Sequence, residues 1–337
     1  MFRIVLAALT AFSATSMFLA CSAPSPTTTL TVYSGRGKVL VEPLIEAFEK
    51  RSGIDVVVRY GGSAQLAATV LEEGASTSAD VYYGQDAGAL GALAQAGRLQ
   101  KLPESVLEKV DRRFRARDGR WIGASGRARV LIYNTRVFSA ENLPDSVLEL
   151  TEPRFRGRVG WAPMNRSFQA FVTAMRLVEG EEATRIWLED MLHNEVKAYR
   201  DNPPLFDAVL RGEIDVGLTN HYYLLRFLDE STEDLPVRNY SPRGGGAGAL
   251  VNIAGVGILD STSRNDAARA FVDYLLSDEA QTYFATKTFE YPLVRGVGAD
   301  TLDTLKPLSE IRAPDIDLGR LDDLDGTLQL LQAVGAF

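Results

Sequence analysis

Apolar residues recur along this chain with two periods, about 2 and about 3.6, and the switching between them maps an α/β protein. Leu30-Thr31-Val32-Tyr33 reads as a strand, followed by the turn Ser34-Gly35-Arg36-Gly37. Leu40, Val41, Leu44, Ile45 and Phe48 then share one helical face, and Gly53 follows its end. Residues 55–59 form a second strand, and Ser63 is placed to cap a helix that buries Leu66, Ala67, Val70 and Leu71. Val81-Tyr82-Tyr83 is a third strand, with Gln85-Asp86 at its carboxyl end before a helix carrying Leu90 and Leu93. Three strand–helix units in a row imply a mostly parallel sheet.

Residues 121–134 carry a long β-rich run through Val130, Leu131, Ile132 and Tyr133, expected to pass between domains. A second α/β series follows. Val159-Gly160-Trp161 is a strand, and Asn165-Arg166-Ser167 opens a helix with Phe168, Phe171, Val172 and Met175 inward. Residues 181–192 are helical, and 196–199 form a strand. Asp201-Asn202-Pro203 starts the helix of Leu205, Val209 and Leu210, the proline suiting a first turn. Ile214, Val216 and Leu218 alternate as a short strand, and Leu224, Leu225, Phe227 and Leu228 return to the helical period. Between them lies Thr219-Asn220-His221-Tyr222-Tyr223, in which Thr219 or Asn220 is placed to cap the helix. Residues 244–248 are glycine-dense, and 249–259 read as the returning crossover strand. Helices are expected over 267–276 and 279–286, and an acidic loop at 315–325 precedes a terminal helix.

The remaining features narrow the class. A chain of 337 residues allows one large or two ordinary domains. A formal charge of −8 argues against a nucleic-acid binder, which would carry a basic stripe. Arg3 precedes the apolar run at 4–9, which continues through Met17-Phe18-Leu19-Ala20, so residues 1–20 read as a secretory signal peptide. Phe18-Leu19-Ala20-Cys21 resembles a bacterial lipobox, with Cys21 as the lipidated first residue of an envelope protein anchored on the extracytoplasmic face. Residues 21–29, rich in Pro, Ser and Thr, are then an extended tether. One cysteine forms no intrachain disulfide and no thiolate metal site.

Catalytic chemistry is poorly supplied. His193 and His221 are the two histidines, without His-x-x-x-His spacing or a Gly-x-Ser-x-Gly motif, so binding is favoured over hydrolysis. Tyr222 and Tyr223 sit at a helix N-terminus just beyond a strand, where α/β sheets bind ligands and the helix dipole favours phenolate. A phenol ionises near pH 10 in water, so phenolate at neutral pH needs a strong local cation; a hard trivalent ion supplies it and prefers oxygen donors. Taken alone, the pair reads more readily as an aromatic first turn. Position shifts that reading, because Arg36, Gln85, Asp86, Asn165, Ser167 and Asn202 fall at equivalent loop ends and Arg127 on the first crossing strand. Helix N-termini and the two arginines would bind a carbonate or phosphate sharing the metal. Arg129 shares a strand face with Arg127, where one of the two serves equally well as a surface or salt-bridging group.

Thr31-Val32-Tyr33-Ser34-Gly35-Arg36, Ala79-Asp80-Val81-Tyr82-Tyr83, Gly126-Arg127-Ala128-Arg129-Val130, Gly212-Glu213-Ile214-Asp215, Asn220-His221-Tyr222-Tyr223 and Glu290-Tyr291-Pro292-Leu293 occur in this order. In that combination the chain resembles the bacterial ferric-iron-binding proteins of ABC importers over nearly all its length after the tether. The resemblance implies a class II periplasmic-binding-protein fold: two α/β lobes joined by crossing strands, closing a cleft on the ligand. Lobe 1 is expected to comprise 30–126 with about 253–290, and lobe 2 127–252 with about 291–337. It implies Tyr222 and Tyr223 as ligands to Fe3+, with Gln85 or Asp86 as extra ligands. A carbonate or phosphate co-ligand would rest on Arg36, Arg127, Asn165, Ser167 and Asn202. The implied partners are an ABC permease with its ATPase, served by a monomeric, non-catalytic receptor. The chain departs from the pattern where Gly37-Lys38 replace a histidine ligand, Gln85 replaces a glutamate, and Phe168 lies near a third tyrosine's place. The alternatives are a binding protein for an oxyanion, phosphonate or polyamine, and an exported hydrolase.

Overall fold

The computed structural model describes residues 29–230, 235–297 and 307–337. The expected signal peptide, Cys21 and all of the tether but Thr29 lie outside the described residues. β1 (Thr29–Ser34) leads into α1 (Lys38–Ser52), which buries Val41, Leu44, Ile45 and Phe48 and stops at Gly53 in the left-handed region that glycine adopts without strain. β2 (Asp55–Tyr60), α2 (Ser63–Glu73), β3 (Val81–Gly84) and α3 (Ala87–Gln95) complete the first series. After the single turn α4 (Glu104–Leu107) comes β4 (Ile122–Asn134), every residue of which is buried.

The second series runs β5 (Val159–Trp161), α5 (Arg166–Val178), α6 (Glu181–His193), β6 (Lys197–Ala198), α7 (Asn202–Arg211), β7 (Val216–Asn220) and α8 (Tyr222–Glu230). The chain then forms β8 (Val237–Tyr240), β9 (Val251–Ile258), α9 (Asn265–Leu275), α10 (Asp278–Tyr283), β10 (Tyr291–Pro292) and α11 (Leu324–Ala333).

Strand order is β2-β1-β3-β9-β4-β7-β5-β6, with β8 and β10 also paired to β4. β4 belongs to both halves of the molecule. Up to Ala128 it runs antiparallel to β9, and from Arg129 onward antiparallel to β7, with β8 alongside from Leu131. This is the two-lobed class II arrangement, with the crossing at Ala128-Arg129. The sheet order reverses between β1 and β3 in one half and between β5 and β7 in the other. Carboxyl ends of strands at such reversals are where ligands bind, because the following loops part there and leave a crevice.

Three local expectations are corrected. Ser63 does not cap α2; Gly62 takes the cap position, and Ser63 Oγ instead accepts from the Gln85 N–H at 2.9 Å. Neither Thr219 nor Asn220 caps α8: Asn220 Oδ1 accepts from Arg129 at 3.3 Å, and Thr219 Oγ1 is buried without a partner. The helix expected through 286 narrows to α10, then widens into a π-turn at Phe284–Thr288 that ends with Phe289 left-handed. That wider turn places Glu290 and Tyr291 against β4, where Tyr291 pairs with Gly126.

The C-terminal segment touches both halves. Its turn Leu318–Asp322 lies on α3 at Gly88 and Gly91, where any Cβ would strike the carbonyls of Leu321 and Gly319. α11 packs on α5, with Thr173 and Thr327 hydroxyls 2.7 Å apart and Arg176 paired to Asp323 at 2.9 Å.

Candidate functional site

A cleft of about 600 Å³ opens between the halves. Its wall takes Gly35 from just after β1, Gln85 and Asp86 from just after β3, Asn165 and Ser167 from the start of α5, Asn220 from the end of β7 and Tyr222 from the start of α8. Both sheet reversals therefore empty into one space. Arg127 and Arg129 of β4 enter it on the same strand face, with Asn252 of β9 paired opposite Arg127 and Asn220 of β7 opposite Arg129.

Tyr222 is 9% exposed. Its ring stacks at 4.5 Å on Tyr223, meets His221 edge-on at 5.7 Å, and carries the Arg226 guanidinium at 4.6 Å. Its hydroxyl accepts from Asn220 Nδ2 at 3.4 Å, and the Tyr223 hydroxyl accepts from Asn202 Nδ2 at 3.4 Å. Burial, then the neighbouring Tyr222, raises the Tyr223 pKa above that of free phenol, so the metal-free protein holds Tyr223 neutral. Only a strong cation at the hydroxyl would reverse that.

His221 fixes the pair from behind. Fully buried, its Nδ1 accepts from the Ala128 N–H at 3.1 Å, which leaves the proton on Nε2 to donate to the Phe289 carbonyl at 2.8 Å. Burial lowers its pKa to about 4. One neutral imidazole thus bridges the crossing strand, the residue before α8 and the segment leading to β10.

Arg129 is 3% exposed and has no carboxylate partner among the described residues. Its Nη1 donates to Ser167 Oγ and Asn220 Oδ1, both at 3.3 Å, and its Nη2 to the Leu218 carbonyl at 3.0 Å. Its Nε has no partner. Burial lowers its pKa to about 10, with Tyr222 and Tyr223 opposing the shift. Arg127 donates to the carbonyls of Gln85 and Ile253, and its Nε is likewise buried and unpartnered. Two guanidinium groups with spare donors at the base of a cleft form an anion-holding surface.

The other expected residues separate by what they already hold. Gln85 Oε1 is buried and free, and the residue is held at the cleft by its backbone N–H donating to Ser63 Oγ. Asp86 lines the cleft but caps α3 by accepting from the Ala89 N–H at 3.1 Å. Asn165 caps α5 and accepts from Ser167 Oγ at 2.5 Å. Asn202 donates to Ser167 Oγ at 3.3 Å as well as to Tyr223, and its Oδ1 is free. Arg36 does not line the cleft. It is 1% exposed, donates to Glu290 at 3.0 Å and lies over the Tyr83 ring at 5.8 Å, with Nε and Nη1 unpartnered. Burial alone would lower its pKa, but Glu290 overcomes this and raises it. Gly37 and Lys38 are exposed, Lys38 pairing with Glu42, and Phe168 is fully buried against Trp161.

Nothing local in the sequence marks Glu290 as a charge partner, because 254 residues separate it from Arg36. Arg129 was visible through its spacing from Arg127, but its burial and missing counter-ion appear only in three dimensions. Among the described residues no three His, Cys, Asp or Glu side chains converge; the cleft wall offers the Tyr222 hydroxyl, the Gln85 amide oxygen and the carboxylates of Asp86, Asp201 and Asp322, of which Asp201 already accepts from Asn165 and Asp322 from Gln95.

The sequence profile of bacterial extracellular solute-binding proteins matches residues 76–318. The chain is 33% identical over 320 residues to the Fe(3+)-binding periplasmic protein of Serratia marcescens, covering 93% of each. It is similar to iron-bound HitA from Pseudomonas aeruginosa, with a TM-score of 0.81 and 34% identity over 91% of this chain and 99% of that one. It is also similar to the Trichodesmium protein (IdiA, FutA) in complex with iron and citrate ligands, with a TM-score of 0.79 and 28% identity over 91% of this chain and 99% of that one.

Proposed function

This chain belongs to the bacterial extracellular solute-binding proteins, as the ferric-iron-binding component of an iron uptake system, and we propose that Tyr222 and Tyr223 hold its iron as phenolates. The family is periplasmic or extracellular and non-catalytic. The observation that carries the reading is Tyr222 in the wall of the cleft that Arg127 and Arg129 also line, with the Tyr223 ring against it at 4.5 Å. A trivalent ion supplies the field that ionises both phenols, and the guanidinium groups keep that negative charge from being isolated in a buried site.

Two phenolates leave most of the coordination shell of a hard trivalent ion unfilled. Gln85 Oε1 is free to approach as a further donor, and Asp86 could do so on releasing its cap. An oxygen-donor anion supplies the remainder: carbonate or phosphate, or the citrate named with iron in the Trichodesmium relative. Arg127, Asn165 and Ser167, which line the cleft, would hold it, with Asn202 supporting Ser167 from behind, while Arg36, paired with Glu290 and outside the cleft, would act on it only at a distance. Cargo then passes to an ABC permease and its ATPase, from a monomeric receptor tethered to the membrane through a lipidated Cys21.

Proton counting tests the ligand assignment. Ferric loading of metal-free protein in weak buffer should release roughly two protons per iron from the phenols, beyond those the iron source itself yields. The Tyr222→Phe, Tyr223→Phe double variant should release none of these. Equal release from both proteins would remove the tyrosines from the site.

A further inference from the structure

The crossing strand has a second cavity on the face turned away from the cleft. Val130 points to the face opposite Arg129, and Asn239, which pairs with Ile132 in the antiparallel register, shares that face. A cavity of about 260 Å³ is lined there by Val130, Asn239 and Ser241, together with His221, Tyr240 and Tyr291. Its walls come from both halves of the molecule. Asn239 and Tyr240 belong to β8, which pairs with β4 after the crossing at Ala128-Arg129, whereas Tyr291 belongs to β10, which pairs with β4 before it. His221 joins the two walls: its ring stacks on Tyr291 at 4.7 Å, and its carbonyl accepts from Asn239 Nδ2 at 2.8 Å.

The lining is rich in acceptors. Asn239 Oδ1 and Ser241 Oγ sit in the wall, buried and without a partner. Tyr240 and Tyr291 add two aromatic rings, and one of them already carries a cation: the Arg243 guanidinium stands 6.0 Å over the Tyr240 ring. Arg243 is also held by Asp145 at 2.6 Å, and Glu141 brings a second carboxylate to the exposed rim. Two carboxylates against one guanidinium, spare oxygens and aromatic faces together favour a cation that donates hydrogen bonds. The volume lies below the roughly 300 Å³ at which pockets for drug-sized ligands begin, so the cation is small.

We propose that this cavity behind the hinge is a regulatory site for a small primary ammonium compound, whose binding holds the lobes closed on iron. Two-lobed binding proteins take up and release cargo by hinge motion, and rotation that opens the cleft narrows the space on the opposite side of the crossing strands. A ligand wedged between Tyr291 and the wall of Asn239 and Ser241 resists that narrowing. It therefore binds the closed form more tightly, raises the affinity for iron and slows iron release. By reciprocity, iron raises the affinity for the ammonium compound by the same factor. The ammonium group donates to Asn239 Oδ1 and Ser241 Oγ with Glu141 as counter-charge, and the alkyl part packs on Val130 and Ile311. The inference needs iron between the lobes but no particular set of iron ligands.

Calorimetry on metal-free protein with butylamine hydrochloride, and with butan-1-ol as the uncharged control, tests the site. We expect one butylammonium per chain and no binding of the alcohol. Glu141→Gln, an exposed change that should fold, is expected to weaken the amine about threefold, the range of an exposed ion pair. Ser241→Leu fills the cavity and should abolish amine binding. The coupling is read by timing iron transfer from loaded protein to a competing chelator at fixed pH and ionic strength. Butylamine should slow that transfer at least about fivefold in the wild type. Ser241→Leu alone should slow it as a built-in wedge and remove the response to the amine. No amine binding, alcohol bound as tightly as amine, or amine binding that neither variant weakens overturns the site. Amine binding that leaves iron transfer unchanged overturns its action on the hinge.

Discussion

At the scale of single residues, the site is built on groups whose charge state is set by burial. His221 illustrates the sign. Its folded pKa of about 4 lies below the ordinary 6.5, so protons bind the unfolded chain more readily. Its full contribution is present above pH 6.5 and is lost as pH falls toward 4, in total about 3 kcal/mol at 1.36 kcal/mol per pH unit. Denaturant melts of metal-free protein from pH 7 to pH 4 should show this loss, and His221→Gln should flatten that part of the curve. Glu290 behaves differently. Burial alone would raise its pKa, but Arg36 and then Arg127 hold it below the ordinary carboxylate range, so its contribution is present at neutral pH and lost only as acid protonates it. Glu290→Gln leaves Arg36 buried and unpaired, an expected cost of about 3–5 kcal/mol by urea melting. Replacing both partners with methionine should cost less than that single change, which a double-mutant cycle would show.

At the scale of elements, most of the secondary structure was legible because burial here follows periodicity. β4 lies within the run expected at 121–134, and α7 starts at the Asp201-Asn202-Pro203 signal. The capping expectations at Ser63 and Asn220 failed for one shared reason: each side chain is a good local cap, but a distant donor competes for its oxygen. Ser63 Oγ serves Gln85 and Asn220 Oδ1 serves Arg129. Such competition leaves no trace in local sequence, and both diversions bring a residue to the cleft. The seat of the C-terminal turn was equally hidden, since the pairing of Gly88 and Gly91 with Leu321 and Gly319 spans the chain. Gly91→Ala keeps a good helix former in α3 yet forces that turn away. We expect a net loss of about 1–3 kcal/mol, the usual cost of overpacking, where an exposed helical glycine would gain stability from the same change. Thermal melts of the variant decide between the two.

At the scale of the whole molecule, sequence pattern could give two α/β series and two crossing strands, but not that both sheet reversals open into one cleft. That convergence follows from β4 pairing with β9 up to Ala128 and with β7 beyond it. It turns an adjacent tyrosine pair, which taken alone reads as an aromatic helix start, into a pair backed by buried arginines at the meeting point of two lobes. Because iron would bind only the folded cleft, loading should raise the unfolding temperature in proportion to the logarithm of free iron. The central claim is narrower: the tyrosines themselves hold the metal. It is tested most directly by the visible absorption spectrum of the ferric-loaded protein. The account predicts a tyrosinate charge-transfer band in the wild type that disappears when Tyr222 and Tyr223 are both replaced by phenylalanine. A wild-type protein that binds ferric iron without such a band, or a double variant that keeps it, would contradict the account.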